Sequence, residues 1–149
     1  MFFRALIAFV ALPGVVAILV PLTWLWSTAH AILVHPLGLV PLTVGFAALL
    51  WCVCEFYVSG KGTLAPWAPP TRLVETGLYR YSRNPMYIAV TLTLLGWAAT
   101  FGSLGLLIYA FIVALAFHLR VVFGEEPWLS RTHGSQWEQY KSRVPRWLW

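Results

Sequence analysis

Charge is what this chain has little of. Only 10% of its 149 residues are charged and 60% are hydrophobic, and its mean hydropathy is +0.74. A soluble domain carries about 25% charged residues, so the shortage excludes an ordinary soluble fold. Acidic residues are scarcer still, five against ten basic ones, for a net charge of +5. The basic residues flank apolar runs and build no soluble basic face, which argues against nucleic acid and for lipid headgroups as the acidic partner. Cysteine is almost missing. Cys52 and Cys54 would point about 200° apart on a helix, which disfavours a disulfide or a two-ligand metal site. The scattered His30, His35, His118 and His133 make no metal-ligand set. There is no internal repeat and no low-complexity tract.

What the chain does have is long apolar runs and aromatics. Nine Trp and six Tyr suit the two headgroup layers, where amphipathic rings settle. Four runs are expected to span a bilayer, at about 2–26, 37–58, 85–101 and 104–123, each near the length that crosses a core of about 30 Å. Ala29-His30-Ala31 resembles a small-residue cleavage site. The run before it exceeds the roughly 7–15 apolar residues of a signal peptide, so it is read as a retained span. Gly102-Ser103 joins the last two runs too tightly for anything but an antiparallel hairpin. The expected architecture is all-α: one membrane-embedded domain over 1–149, with a four-span helical bundle, a surface loop at 60–84 and an interfacial cap at 125–149. Trp128, Leu129, Trp137 and Tyr140 form the loose apolar stripe of that cap, broken at Gly134.

Charge placement sets the expected orientation. The two connections on one side, Ser27 to Pro36 and Gly102-Ser103, contain no Lys or Arg. The other side collects Arg4, Lys61, Arg72, Arg80, Arg83, Arg131, Lys141, Arg143 and Arg146. By the positive-inside rule both termini face the cytoplasm.

The chemistry concentrates in two stretches. Asn84-Pro85 reads as a helix start, Asn as N-cap and Pro at the first helical position. Such a start offers free N–H groups and a positive dipole end to an anion. Arg80 and Arg83 reinforce that field, and the faces of Tyr79, Tyr81 and Tyr87 suit a cation. In a chain with so few acids, Glu125-Glu126 at the end of the fourth run is a second candidate, since ionisable groups near a bilayer tend to be functional. His118 lies seven residues before Glu125, two turns away on a shared face. Pro127 is expected to break the helix just after the pair, letting both carboxylates enter a pocket between spans. The combination suits S-adenosylmethionine: cations for its carboxylate, carboxylates for its ammonium or ribose, aromatics for its adenine or sulfonium. A phosphate-bearing nucleotide would also suit the basic half.

At these residues the chain resembles the integral-membrane methyltransferases, the superfamily of isoprenylcysteine carboxyl methyltransferases and phospholipid N-methyltransferases. The matching pieces are GLYRYSRNPMYIA (Gly77–Ala89), EEPWL (Glu125–Leu129) and YKSRVP (Tyr140–Pro145), in the family's order and spacing. The resemblance implies cofactor binding by Arg83, Asn84, Pro85 and Tyr87 and by Glu125 and Glu126. It implies a substrate-orienting role for Arg143. Asn84 stands where prenyl-protein enzymes usually carry His, Ala89 replaces a common Gly, and the phospholipid enzymes' Gly-x-Gly element is missing near Gly96. The implied reaction is in-line attack on a sulfonium methyl, governed by positioning and dehydration. An amine acceptor needs a base, for which His118 or Glu126 is available, and a carboxylate needs a cation such as Arg143 or Arg120. The implied acceptor is a lipid or lipidated molecule. A nicotinamide-dependent reductase of the sterol-reductase type and a non-enzymatic helical scaffold are the alternatives.

Overall fold

A computed structural model describes residues 10–28, 35–59 and 72–148. The start of the first expected span, the Ala29–Ala31 tripeptide and residues 60–71 of the expected surface loop lie outside the described residues. The described chain is helical throughout, without strands. Helix α1 begins as a π-helical stretch, Val10–Leu19, and continues as α-helix through Val20–Ser27. A 3₁₀ turn, Pro36–Gly38, leads into α2, Leu39–Val58. After the 3₁₀ turn Gly77–Arg80 come α3, Pro85–Phe101, and α4, Leu104–Arg120. Helix α4 passes through a π-helical turn, Val121–Glu125, straight into α5, Glu126–His133, and α6 follows at Ser135–Arg143.

Length separates these helices. Pro36–Val58 and Leu104–His133 are long and apolar enough to cross a membrane. Helix α3 is apolar but has only 17 residues, a rise of about 26 Å against a core of about 30 Å. The apolar part of α1 that qualifies, Pro13–Ser27, is shorter too. Among the described residues, two helices thus meet the length and composition of a span where hydropathy suggested four. In the two long ones only 22% and 17% of the apolar stretch is buried. Val40, Val44 and Trp51 on α2 and Phe111, Ile112 and Leu115 on α4 are exposed, an outer surface that water would penalise and acyl chains accept.

Small residues hold the middle of the bundle together. Helices α2 and α3 run antiparallel and nearly touch along a seam. A Cβ at Gly45 would meet Thr93 N at 2.6 Å, one at Gly96 would meet Leu42 N at 2.4 Å, and one at Gly38 would meet Thr100 N at 2.4 Å. Lipid tails are as apolar as side chains, so close backbone packing of this kind is what drives helices together in a bilayer. Helix α1 docks by another device. Pro21 has no N–H, the donor that an i+4 bond to Ala17 or an i+5 bond to Val16 would use. Trp97 Nε1 donates to the Ala17 carbonyl at 2.9 Å instead, and Tyr109 Oη to that of Val16 at 3.3 Å. The α3–α4 hairpin forms as expected: Gly102 closes α3 at φ 61°, and Ser103 Oγ accepts from Leu106 N at the start of α4.

Candidate functional site

The loop before α3 is shaped from below by α2. Near the end of that helix the Glu55 carboxylate accepts from Thr76 Oγ1 at 2.6 Å and Ser59 Oγ at 3.0 Å. Gly77, at φ 58°, lies so close that a Cβ there would fall 2.8 Å from the Glu55 carboxyl. Glu55 thereby fixes where the segment 77–84 starts. Tyr79 packs edge-on against Phe56 at 5.4 Å and is buried, so its ring supports the loop from inside. Arg80 and Tyr81 point outward and are exposed.

From above, the segment is clamped by the end of the chain. Pro145 pushes Val144 into extended backbone, and the chain folds back after α6. Arg83 N donates to Pro145 O at 2.9 Å, and both Ser82 Oγ and Asn84 Nδ2 donate to Arg146 O. Asn84 thus occupies the N-cap position with Pro85 at the first turn; its side chain makes no cap bond, and its Nδ2 donates to Arg146 O. Trp137 and Tyr140 of α6 are buried beneath this clamp, and Tyr140 Oη donates to Tyr79 O at 2.7 Å.

The clamp carries Arg146 to Glu126. Arg146 Nε and Nη2 donate to the two Glu126 oxygens, both at 2.8 Å, the fork geometry that makes such pairs strong. Arg83 Nη1 lies 2.8 Å from Glu126 Oε1, with the Arg83 side chain 8% exposed. Trp137 covers the same guanidinium, its ring centroid 5.3 Å away. Burial draws Arg83 below the ordinary arginine range while Glu126 opposes that shift. Arg146 is raised, first by its hydrogen bond to Glu126. Among the described residues, Arg83 Nε and Nη1 are buried without a hydrogen-bond acceptor: the ion pair is close but off the N–H axis. Buried donors left open cost about 1–3 kcal/mol each.

Glu125 belongs to a second cluster. In an α-helix, side chains five apart stand about 140° apart around the axis and do not meet. Pro127 lacks the N–H that would bond Phe123 O and clashes with that carbonyl, and the helix absorbs this in the π turn Val121–Glu125. The wider turn brings i and i+5 into line. Arg120 Nε accordingly donates to Glu125 Oε1 at 2.8 Å. Tyr87 Oη donates to the same oxygen, with its ring stacked on Phe117 at 4.3 Å. The expected break at Pro127 is thus a bulge in a continuous helix. The two neighbouring carboxylates face different partners, since adjacent positions point about 100° apart.

Of the other expected site residues, His118 is exposed and stacks on Trp147 at 6.0 Å, on the side of the chain end. Arg143 turns away: its Nη2 pairs with Glu75 at 2.9 Å and its Nε donates to Gln139 O. From the end of the chain it is Arg146, three positions later, that reaches Glu126. Sequence reasoning counted Arg146 only as a positive charge and read Glu55 only as an interruption near the end of the second apolar run. The extended Val-Pro before Arg146 was the available sign that the chain turns back.

The family model for phospholipid methyltransferases matches residues 37–136, which takes in Glu55, the loop, both acidic residues and the π turn. A nickel-cobalt-cadmium resistance protein, NccN, from Alcaligenes xylosoxydans xylosoxydans is 34% identical over 123 residues, covering 80% of this chain and 50% of that protein. The chain thus spans about half the length of that relative. No solved structure matches the chain. With two-thirds of its length inside the family match, this chain belongs to the phospholipid methyltransferase family.

Proposed function

We propose that the protein transfers methyl groups from S-adenosylmethionine to a lipid or lipidated acceptor at the cytoplasmic face of the membrane. A phospholipid amine is favoured over a prenylcysteine-like carboxylate. The observation that carries this is the Arg83 guanidinium, almost fully buried at the start of α3 with two N–H groups lacking an acceptor. A carboxylate such as that of the cofactor's amino-acid end fits those donors. Glu125, whose side chain is 32% exposed, is the carboxylate open to an ammonium or hydroxyl, and Tyr87 holds it in place. The cofactor supplies an electrophilic methyl on a sulfonium. The chain's part is to bind, orient and dehydrate. With both oxygens on guanidinium groups, Glu126 is suited to fixing Arg83 and Arg146 rather than to taking a proton. Glu125 or the exposed His118 is better placed for a proton released by an amine. The charge asymmetry of the connections supports a cytoplasmic site, where a soluble cofactor enters from water and a lipid arrives sideways.

The resistance named for the relative suggests a second reading, capture of a metal cation. Among the described residues no three His, Cys, Asp or Glu side chains gather, so the site gives it no support. The test is calorimetric titration of detergent-purified protein with S-adenosylhomocysteine and, separately, NADPH. Binding of the first alone, weakened in Glu125→Gln and Glu126→Gln, is expected. Binding of NADPH alone would move the case to a reductase, and undiminished affinity in both variants would sink the site assignment.

A further inference from the structure

A cavity of about 450 Å³ lies apart from both charged clusters, between the segment leading to Gly77 and the helices near the chain end. Arg72, Leu73 and Glu75 line it from that segment, and His133, Gln136 and Gln139 from the helices. The two walls are braced together. Arg143 Nη2 pairs with Glu75 at 2.9 Å, and Arg143 Nε donates to Gln139 O at 3.2 Å. Leu73 packs on the buried cluster Trp137, Tyr140 and Val144, which anchors its wall in the interior. Gln136 and Gln139 are three apart on α6 and share one face, beside the face that buries Trp137 and Tyr140. Among the described residues, neither Arg72 nor either glutamine side chain has a hydrogen-bond or ion-pair partner.

We infer that this cavity is a second ligand site, for a water-soluble organic phosphate that carries hydroxyl groups. Arg143 balances the Glu75 charge, which leaves Arg72 as the unbalanced charge of the lining and calls for an anion. A carboxylate would spend both oxygens on one guanidinium, whereas a phosphate keeps oxygens for His133 and the glutamine amides. Glu75 and the amide oxygens accept from hydroxyls. The volume lies within the range of small-molecule sites, about 300–1,000 Å³. Water, not the bilayer, is the side from which the ligand comes. From Phe123, an exposed apolar residue, the helix runs on to His133, a rise of about 15 Å. The stretch Ser130 to Gln136 contains no apolar side chain. No residue of the two charged clusters lines the cavity, so the inference stands apart from the methyl-donor reading.

The experiment is calorimetric titration of the full chain in detergent with ribose 5-phosphate, ribose, inorganic phosphate and a short-chain phosphatidate. Ribose 5-phosphate is expected to saturate below about 10 mM, more tightly than inorganic phosphate, with no binding of ribose. Arg72→Gln should weaken it about tenfold, the loss for a charged hydrogen bond, and Arg72→Lys, which keeps the charge without the fork, should lose less. Arg131→Gln removes an exposed charge outside the cavity and should change affinity by less than about twofold, since distant exposed charges are screened. Gln136→Ala, with an expected loss of about threefold, serves as the test should Arg72→Gln not fold. No saturation by ribose 5-phosphate, undiminished affinity in Arg72→Gln, or an equal loss in Arg131→Gln would each overturn the inference. Inorganic phosphate binding as tightly would overturn it in favour of a bare-anion site, and tighter binding of the phosphatidate in favour of a headgroup site. S-adenosylhomocysteine is titrated separately, and its failure to bind would remove the methyl-donor reading while leaving the phosphate comparison intact.

Discussion

Replacing Pro127 by alanine should leave the protein about as stable as before while dismantling one of its two charged clusters. Alanine restores the N–H that can bond Phe123 O, so the π turn at Val121–Glu125 is free to relax to a regular helix. Glu125 would then swing by the roughly 140° that separates positions five apart, away from Arg120 and Tyr87. The charge-assisted bond from Tyr87 is worth about 1.5–3 kcal/mol. The Arg120 pair is mostly exposed and contributes under about 1 kcal/mol. Against these losses stands relief of a proline following a helical turn, up to about 3 kcal/mol in a helix interior. The sums cancel to within their spread, so stability alone is uninformative, and a double-mutant cycle isolates the effect. Tyr87→Phe should cost about 1.5–3 kcal/mol in the wild type and close to nothing in the Pro127→Ala background, measured by denaturant unfolding in detergent. An equal cost in both backgrounds would refute the argument that Pro127 positions Glu125.

Other substitutions probe the frame. Gly96→Ala places a methyl 2.4 Å from Leu42 N, which the α2–α3 seam must accommodate by opening, at about 1–3 kcal/mol in unfolding experiments. Trp97→Phe removes the donor to Ala17 O and should cost about 0.6–2 kcal/mol, with protease sensitivity of α1 rising in step. Glu55→Ala should weaken S-adenosylhomocysteine binding by releasing Thr76 and Gly77, while Glu55→Gln, which keeps an acceptor, restores most of it. Arg146→Gln should lower that affinity more than Arg143→Gln, since Arg146 and not Arg143 reaches Glu126.

The sequence announced most of the helical frame because proline and glycine mark its ends. Asn84-Pro85 opens α3 and Gly102-Ser103 separates it from α4, as expected from local chemistry. The expected run at 37–58 ends with α2. Where the reading failed, the deciding force was not local. A proline after Glu126 signals a break to any rule that considers only the α ladder, yet the helix kept its course by widening one turn. The two acidic residues were rightly singled out, but their separation onto two partner sets follows from that turn and leaves no trace in spacing. Arg146 and Glu55 escaped notice as site residues because each acts across the fold. One is delivered by a chain reversal, and the other sits at the end of a helix against a loop residue 21 positions later.

The clamp on the loop before α3 also orders events during synthesis. Arg83 leaves the ribosome before the carbonyls that hold its segment, Pro145 O and Arg146 O, which come more than sixty residues later. Until then the segment that carries a guanidinium destined for burial is left unanchored. Helices α2 to α4 can pair through their glycine seam and hairpin in the meantime, because none of those contacts requires the final segment. The charged centre therefore closes last, over a frame already built, and a nascent chain halted after α5 would be a packed bundle without a finished site.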